Sequence, residues 1–125
     1  MAKRKVTNLT DVSEITCVVQ KGMADEIVQS LLDAGIQGAT VHSGVGTGIR
    51  ERMGLLGVAV EVEREIVQVL VSKDQVDRIF ERMYLAGRLD TPGMGYIYAA
   101  PLVQAATYIP AHLLEDMDSL SSLGV

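Results

Sequence analysis

Gly44-Val45-Gly46-Thr47-Gly48-Ile49-Arg50-Glu51-Arg52-Met53-Gly54-Leu55-Leu56-Gly57 places five glycines within fourteen residues. An apolar run, Ala39 to His42, precedes it, and a second, Val58 to Val71, follows it. Both flanks read as strands. Glycine reaches left-handed backbone conformations and lets other groups approach closely, but it loses more freedom on folding than any other residue. So many glycines between two strands imply a mobile loop, a ligand site lined by backbone, or both. The stretch alone is equally compatible with a plain long hairpin, so the flanks decide.

Upstream, Glu14-Ile-Thr-Cys-Val-Val-Gln20 is rich in β-branched residues and predicts a strand. Cys17 lies within it, with no nearby base or CxxC partner, and reads as a small buried hydrophobe. After Lys21-Gly22, the residues Met23, Ile27, Leu31 and Ala34 recur at helical spacing, with Asp25 and Glu26 in the first turn, where the helix dipole favours acids. Gly35 stands where a C′ glycine would stop that helix. The chain then returns as the strand Gly38 to His42.

Downstream, Val58, Val60 and Val62 alternate with Ala59, Glu61 and Glu63, the period of a half-exposed strand. From Ile66 to Val71 the run is almost wholly apolar, which places its end in the core. Ser72 is an N-cap candidate for a second amphipathic helix marked by Val76, Ile79, Phe80 and Met83, which Gly87 ends. Arg88-Leu-Asp-Thr-Pro-Gly-Met-Gly95 is a second loop rich in turn residues. Tyr96 to Ala100 predicts a last strand, closed by Pro101. The order β-α-β-loop-β-α-β is the split βαβ arrangement: an α+β, ferredoxin-like βαββαβ fold with a four-stranded antiparallel sheet and two helices on one face. Strands this rich in Val and Ile predict that copies of the chain cover the other face, as a homo-oligomer. Residues 1–13 read as a flexible N-terminal arm, 14–110 as the folded domain, and 111–125 as a C-terminal tail.

Composition narrows the function. A single domain of 125 residues with a net charge of −5 and no long basic run lacks the clustered cations that nucleic acid requires. No apolar run reaches the roughly 18–20 residues of a membrane span, and no hydrophobic signal segment follows the start, so the expectation is a cytoplasmic protein without membrane insertion. No nucleophile–base pair, carboxylate dyad or P-loop is evident, which points away from an enzyme.

Several runs in order resemble the PII signal-transduction family over roughly residues 14–100. Gly35-Ile-Gln-Gly-Ala-Thr-Val41 is similar to its helix-to-strand segment. Gly46-Thr47-Gly48 resembles the Gly-x-Gly at the base of its T-loop, here at about 46–63. Lys73-Asp-Gln-Val-Asp77 is similar to the start of its second helix, Ala86-Gly-Arg-Leu89 to the entry of its B-loop, and Gly93-Met-Gly95 to its Gly-Asp-Gly. The resemblance implies a homotrimer that binds an adenine nucleotide in clefts between subunits. The T-loop base and B-loop of one subunit and the C-terminal segment of its neighbour would build each cleft. The T-loop would then regulate a transporter or metabolic enzyme. On that pattern the nucleotide-binding set is Val18, Val45, Gly46, Thr47, Gly48, Arg50, Leu70, Arg88, Gly93, Met94, Gly95 and Tyr96. Arg50, Arg52 and Arg64 are the anion or effector cations, and Glu51, Met53, Leu55 and Leu56 the partner-binding loop residues.

The departures from the pattern are specific. The loop is a few residues shorter and carries no Tyr for the family's uridylylation switch. Arg50 stands for a Gln that helps bind Mg-ATP and 2-oxoglutarate, and Ile49 for the basic residue before it; Arg64 keeps the charge of the family's loop lysine. Tyr96 stands for the lysine after Gly-Asp-Gly, and Thr107 and Ile109 for two phosphate-holding arginines. Each charge-assisted contact is worth about 1.5–3 kcal/mol, so three lost cations favour AMP or ADP over Mg-ATP. Short-loop relatives associated with carboxysomes or transporters respond to adenylates and bicarbonate, and a small anion such as bicarbonate would suit Arg50 and Arg52. Two alternatives remain: a ligand-free structural trimer serving as an interaction hub, and a metal-binding trimer of the copper-tolerance type, which would need Cys17, His42 and His112 to converge.

Overall fold

The computed structural model describes residues 6–46 and 62–108. The chain divides into two compact units, Asp11–Leu102 and a smaller one made of Met1–Thr10 with Val103–Val125. In the smaller unit β1 (Asn8–Leu9) pairs antiparallel with β6 (Ala105–Ala106), and Gln104 Nε2 donates to Asn8 Oδ1 at 3.1 Å.

The larger unit runs β2 (Val12–Gln20), α1 (Ala24–Asp33), β3 (Thr40–Gly46), β4 (Val62–Ser72), a 3₁₀ turn (Lys73–Gln75), α2 (Val76–Ala86) and β5 (Gly95–Pro101). The sheet order is β3-β4-β2-β5, every neighbouring pair antiparallel. This is the ferredoxin-like arrangement. Residues directly opposed on antiparallel strands share a face. The set Val41, Val67, Cys17 and Ile97 therefore lies on one face, and Ile66, Val18 and Tyr96 on the other. The first face carries the core: Ile15, Cys17, Val19, Val67, Val69 and Val71 pack with Ile27 and Leu31 of α1 and Ile79 and Met83 of α2. Cys17 is fully buried, and desolvation pushes its thiol up to about 11, as its apolar neighbours predict.

Strand boundaries differ from the sequence reading. Strand β2 starts at Val12 rather than Glu14, because Val12 and Ser13 continue the ladder with Ser72 and Val71. Strand β3 runs four residues past His42, so Gly44 and Gly46 are paired strand residues opposite Arg64 and Val62, not loop. Backbone pairing needs no side chain, so nothing apolar marks it. The Val58–Glu61 part of the following run lies outside the described residues; β4 is paired from Val62 to Ser72.

Helix ends show a similar mixture. Gly35 is the left-handed C′ residue of α1 (φ 87), with Ile36 N–H donating to Leu31 O at 2.9 Å and Gly35 N–H to Leu32 O at 3.0 Å, a Schellman motif. Ser72 does not cap a helix through its side chain: its Oγ donates to Asp74 Oδ1 at 2.7 Å, which holds the Asp74 carboxyl below its ordinary range. Gly87 closes α2 as its C-cap, but in a right-handed conformation (φ −81). A Cβ there would meet Met83 O at 3.2 Å and Val19 Cγ1 at 3.3 Å. The left-handed C′ position falls instead on Arg88 (φ 54), whose N–H donates to Leu85 O at 3.1 Å. Gly87 is thus needed for packing, and Arg88 bears the strain.

Gly95 has the most restrictive position. Its φ is 137, and a Cβ would stand 1.9 Å from the carbonyl oxygen of Val18.

Two substitutions test these assignments by thermal or denaturant unfolding. Gly95→Ala destabilises the chain by about 3 kcal/mol or more, since strain and overpacking add. Arg88→Gly stabilises it by about 1 kcal/mol, by relieving the left-handed strain.

Candidate functional site

Most of the expected site residues that are described gather at one end of the sheet. There β2 runs out into the turn Lys21–Met23, β3 ends at Gly46, β4 begins at Val62 and β5 begins at Gly95. The register sets the rows: Val45 opposite Glu63, Gly44 opposite Arg64 and Arg64 opposite Gln20, then Val18 between Ile66 and Tyr96.

The two glycine groups reach that end on opposite edges. Gly44 and Gly46 lie on edge strand β3, and Gly93 to Tyr96 lead into edge strand β5. Three inter-strand steps separate the edges, about 14 Å. Leu70 is also apart: it shares the open face with Val18 but stands opposite Glu14, four residues along β4 from Ile66. Thr47, Gly48, Arg50, Glu51, Arg52, Met53, Leu55 and Leu56 lie outside the described residues.

The β3 edge carries a shallow recess lined by Lys21, Ser43, Gly44, Val45, Glu63 and Arg64. Val45 is exposed and Arg64 half-buried. Lys21 Nζ and Glu63 Oε2 form an ion pair at 2.8 Å. The hydrogen bond and charge of Lys21 lower the Glu63 carboxyl below its ordinary range, and Glu63 raises the Lys21 ammonium by the same two effects. Neighbouring Glu65 Oε1 accepts from Gly22 N–H and, at 3.5 Å, from Ala24 N–H. Ala24 is the first residue of α1, whose N-cap Met23 has no capping side chain, and Gly22 lies in the turn just before it. Glu65 thus caps the helix from the neighbouring strand.

On the β5 edge, Gly93 (φ 83) and Gly95 bracket Met94. The Met94 N–H donates to Thr91 O at 3.3 Å, so that amide is committed within the loop. The Gly93 carbonyl accepts from Gln20 Nε2 at 3.1 Å. Arg88 is exposed, with Nη2 at 4.0 Å from Glu26 Oε2. Tyr96 and Tyr98 stack on the open face, ring centroids 6.3 Å apart. His42 Nε2 lies 3.1 Å from Gln68 Oε1, and among the described residues no three His, Cys, Asp or Glu side chains gather as a metal site would require. Sequence reasoning missed Gln20, Lys21 and Glu65. The available signal was the parity of β4: Glu63 and Glu65 alternate with Arg64, so once β2 and β4 are paired both acids face the β2–α1 turn.

A family model described as nitrogen regulatory protein P-II matches residues 12–110. The solved structure of Arabidopsis thaliana PII bound to citrate is similar to this chain, with a TM-score of 0.60 and 23% identity over 74% of this chain and 78% of that one. At that identity the likeness speaks for the fold. No curated protein matches the sequence. Among the described residues no helix is long and apolar enough to cross a membrane.

The Lys21–Glu63 pair predicts a pH response with a definite sign. A lowered carboxyl contributes stability above its unfolded pKa and loses it as pH falls through the folded value. The pair therefore persists at neutral pH and breaks only below the usual Glu value of about 4.3. In a carbon-detected NMR titration, Glu63 has a midpoint below that of a free Glu, and Lys21→Ala returns it to the ordinary range.

Proposed function

Because this chain belongs to the nitrogen regulatory protein P-II family, we propose that it is a signal-transduction protein that assembles as a homotrimer and binds an adenine nucleotide between subunits. The observation that carries this reading is the placement of the two glycine groups at one end of the sheet but on opposite edges. Both groups thus open at the same end of the sheet, where a cleft between subunits would be lined by the T-loop base and B-loop of one subunit and the C-terminal segment of its neighbour. The open sheet face supports the assembly: Leu70, Tyr96 and Tyr98 are each about half exposed there, and a trimer would cover them.

AMP or ADP is the preferred ligand, with or without bicarbonate beside it. Tyr96, at the position of a family lysine, presents an aromatic ring where a phosphate would otherwise find a cation. Arg64 lies at the β3 edge, where an anion would meet the neighbouring glycine backbone. The sheet β2–β5 and its two helices form the nucleotide-responsive domain, with 111–125 as its tail. Through residues 46–63, with Glu51, Met53, Leu55 and Leu56 in contact, the trimer regulates a transporter or metabolic enzyme in the cytoplasm. No catalytic step is assigned to it.

Two measurements test this. Native mass spectrometry yields a mass three times that of the chain; a monomer overturns the intersubunit site. Calorimetric titration of the trimer gives heat with AMP or ADP at lower concentration than with Mg-ATP, and bicarbonate tightens the adenylate. A trimer silent toward all four would be the ligand-free hub.

A further inference from the structure

The five residues Gln20–Ala24 touch both halves of the candidate site. On one side they meet β4 where it begins. Glu63 pairs with Lys21 at 2.8 Å, and the Glu65 carboxylate accepts from the N–H groups of Gly22 and Ala24. On the other side Gln20 Nε2 donates to the Gly93 carbonyl at 3.1 Å, and Arg88 approaches Glu26, in the first turn of α1, at 4.0 Å. The turn between these contacts is closed on itself: Met23 N–H donates to Gln20 O at 3.2 Å, and Ile27 N–H to Met23 O at 3.3 Å. Gly22 (φ 96) supplies the left-handed residue that folds it back.

We propose that this turn is the mechanical link, within one chain, between β4 as it leaves the glycine stretch and the second loop at the opposite edge, with Glu65 and Gln20 as its two positioning residues. The proposal rests on the nucleotide-site reading above and specifies how that site is regulated. Glu65 stands on a strand hydrogen-bonded on both sides, so its carboxylate is a fixed anchor for the start of α1. A carboxylate at a helix start combines charge-assisted hydrogen bonds with the dipole. Because Gln20 sits at the other end of the same closed turn, whatever holds Gly22 and Ala24 also sets where Nε2 meets Gly93. A ligand that shifts Gly93 would in turn load the anchor on β4, and β4 is the strand continuous with the glycine stretch. Since linkage is reciprocal, displacing β4 would alter ligand affinity at the second loop by the same factor.

A double-mutant cycle read by amide hydrogen exchange tests the link. Glu65 and Gln20 lie on different strands, and their hydrogen bonds go to different partners, Gly22 and Ala24 for one and Gly93 for the other. Glu65→Ala in the full chain speeds exchange of the Gly93–Tyr96 amides by about fivefold, the scale of one lost hydrogen bond, and leaves Ala99 and Ala100 at the far end of β5 unchanged. Gln20→Leu does the same, and the double variant adds nothing to either. Glu65→Gln, which keeps an acceptor oxygen but loses the charge, gives a smaller acceleration, and it carries the test if Glu65→Ala fails to fold. In calorimetry with AMP or ADP, Glu65→Ala weakens binding several-fold although Glu65 faces the helix side of the sheet, away from the tyrosines. Additive effects in the cycle, or unchanged Gly93–Tyr96 exchange in both Glu65 variants, overturn the link. Absence of heat with either nucleotide in the unsubstituted protein overturns the nucleotide reading instead, and the ligand-free exchange arms then decide the link alone.

Discussion

Everything in the larger unit is referred to the pairing of β2 with β4. These central strands run antiparallel from Val12 opposite Ser72 to Gln20 opposite Arg64, and β2 is paired again on its other side with β5. A side-chain period of two means that this register fixes every face assignment at once. Cys17 opposite Val67 puts the aliphatic residues under the helices. The same parity sends Val18, Ile66 and Tyr96 to the open face, and turns Glu63 and Glu65 toward the start of α1. A slip of one residue would expose the core and separate both acids from the turn they hold.

That single constraint explains which parts of the chain were legible in advance. The long apolar runs, the helical spacing of Ile27 and Leu31, and Gly35 as a helix stop are local signals, and they carried the element order and the fold. Gly44 and Gly46 were legible as important but not as strand, because their pairing with Arg64 and Val62 is a backbone matter. Ser72 illustrates the limit of local capping rules. Its hydroxyl meets an aspartate two residues on, and a 3₁₀ turn intervenes before the helix. The contacts Lys21–Glu63 and Glu65–Gly22 join residues more than forty positions apart, so no window along the chain contains them.

The candidate site was legible as residue types but not as an arrangement. Motif order placed Gly46 and Gly93–Gly95 in one list, and only the strand order reveals that they occupy opposite edges. The glycines also separate by cause. Gly95 is demanded by the carbonyl of Val18, and Gly87 by the packing of α2 on Val19 and Ile27, so neither needs a ligand to account for it. Gly44 has ordinary room for a Cβ, with Ile66 Cδ1 at 3.6 Å, so the fold leaves its identity unexplained. Arg88 presents the converse case: a charged residue in a conformation that glycine would hold more easily. Its guanidinium reaches Glu26 at 4.0 Å, an exposed pair that contributes little, which directs attention to the guanidinium itself.

The burial of Cys17 has a practical corollary. It is the chain's one cysteine, it sits beneath both helices, and its thiol is pushed up to about 11. In the folded protein it contributes almost no thiolate at neutral pH and offers no surface to a reagent. A cysteine introduced at an exposed position would therefore be the sole target of a maleimide dye, with no need to remove the native one. The native thiol, meanwhile, becomes alkylated only in molecules whose central strands have come apart, so its labelling rate counts openings of the sheet directly.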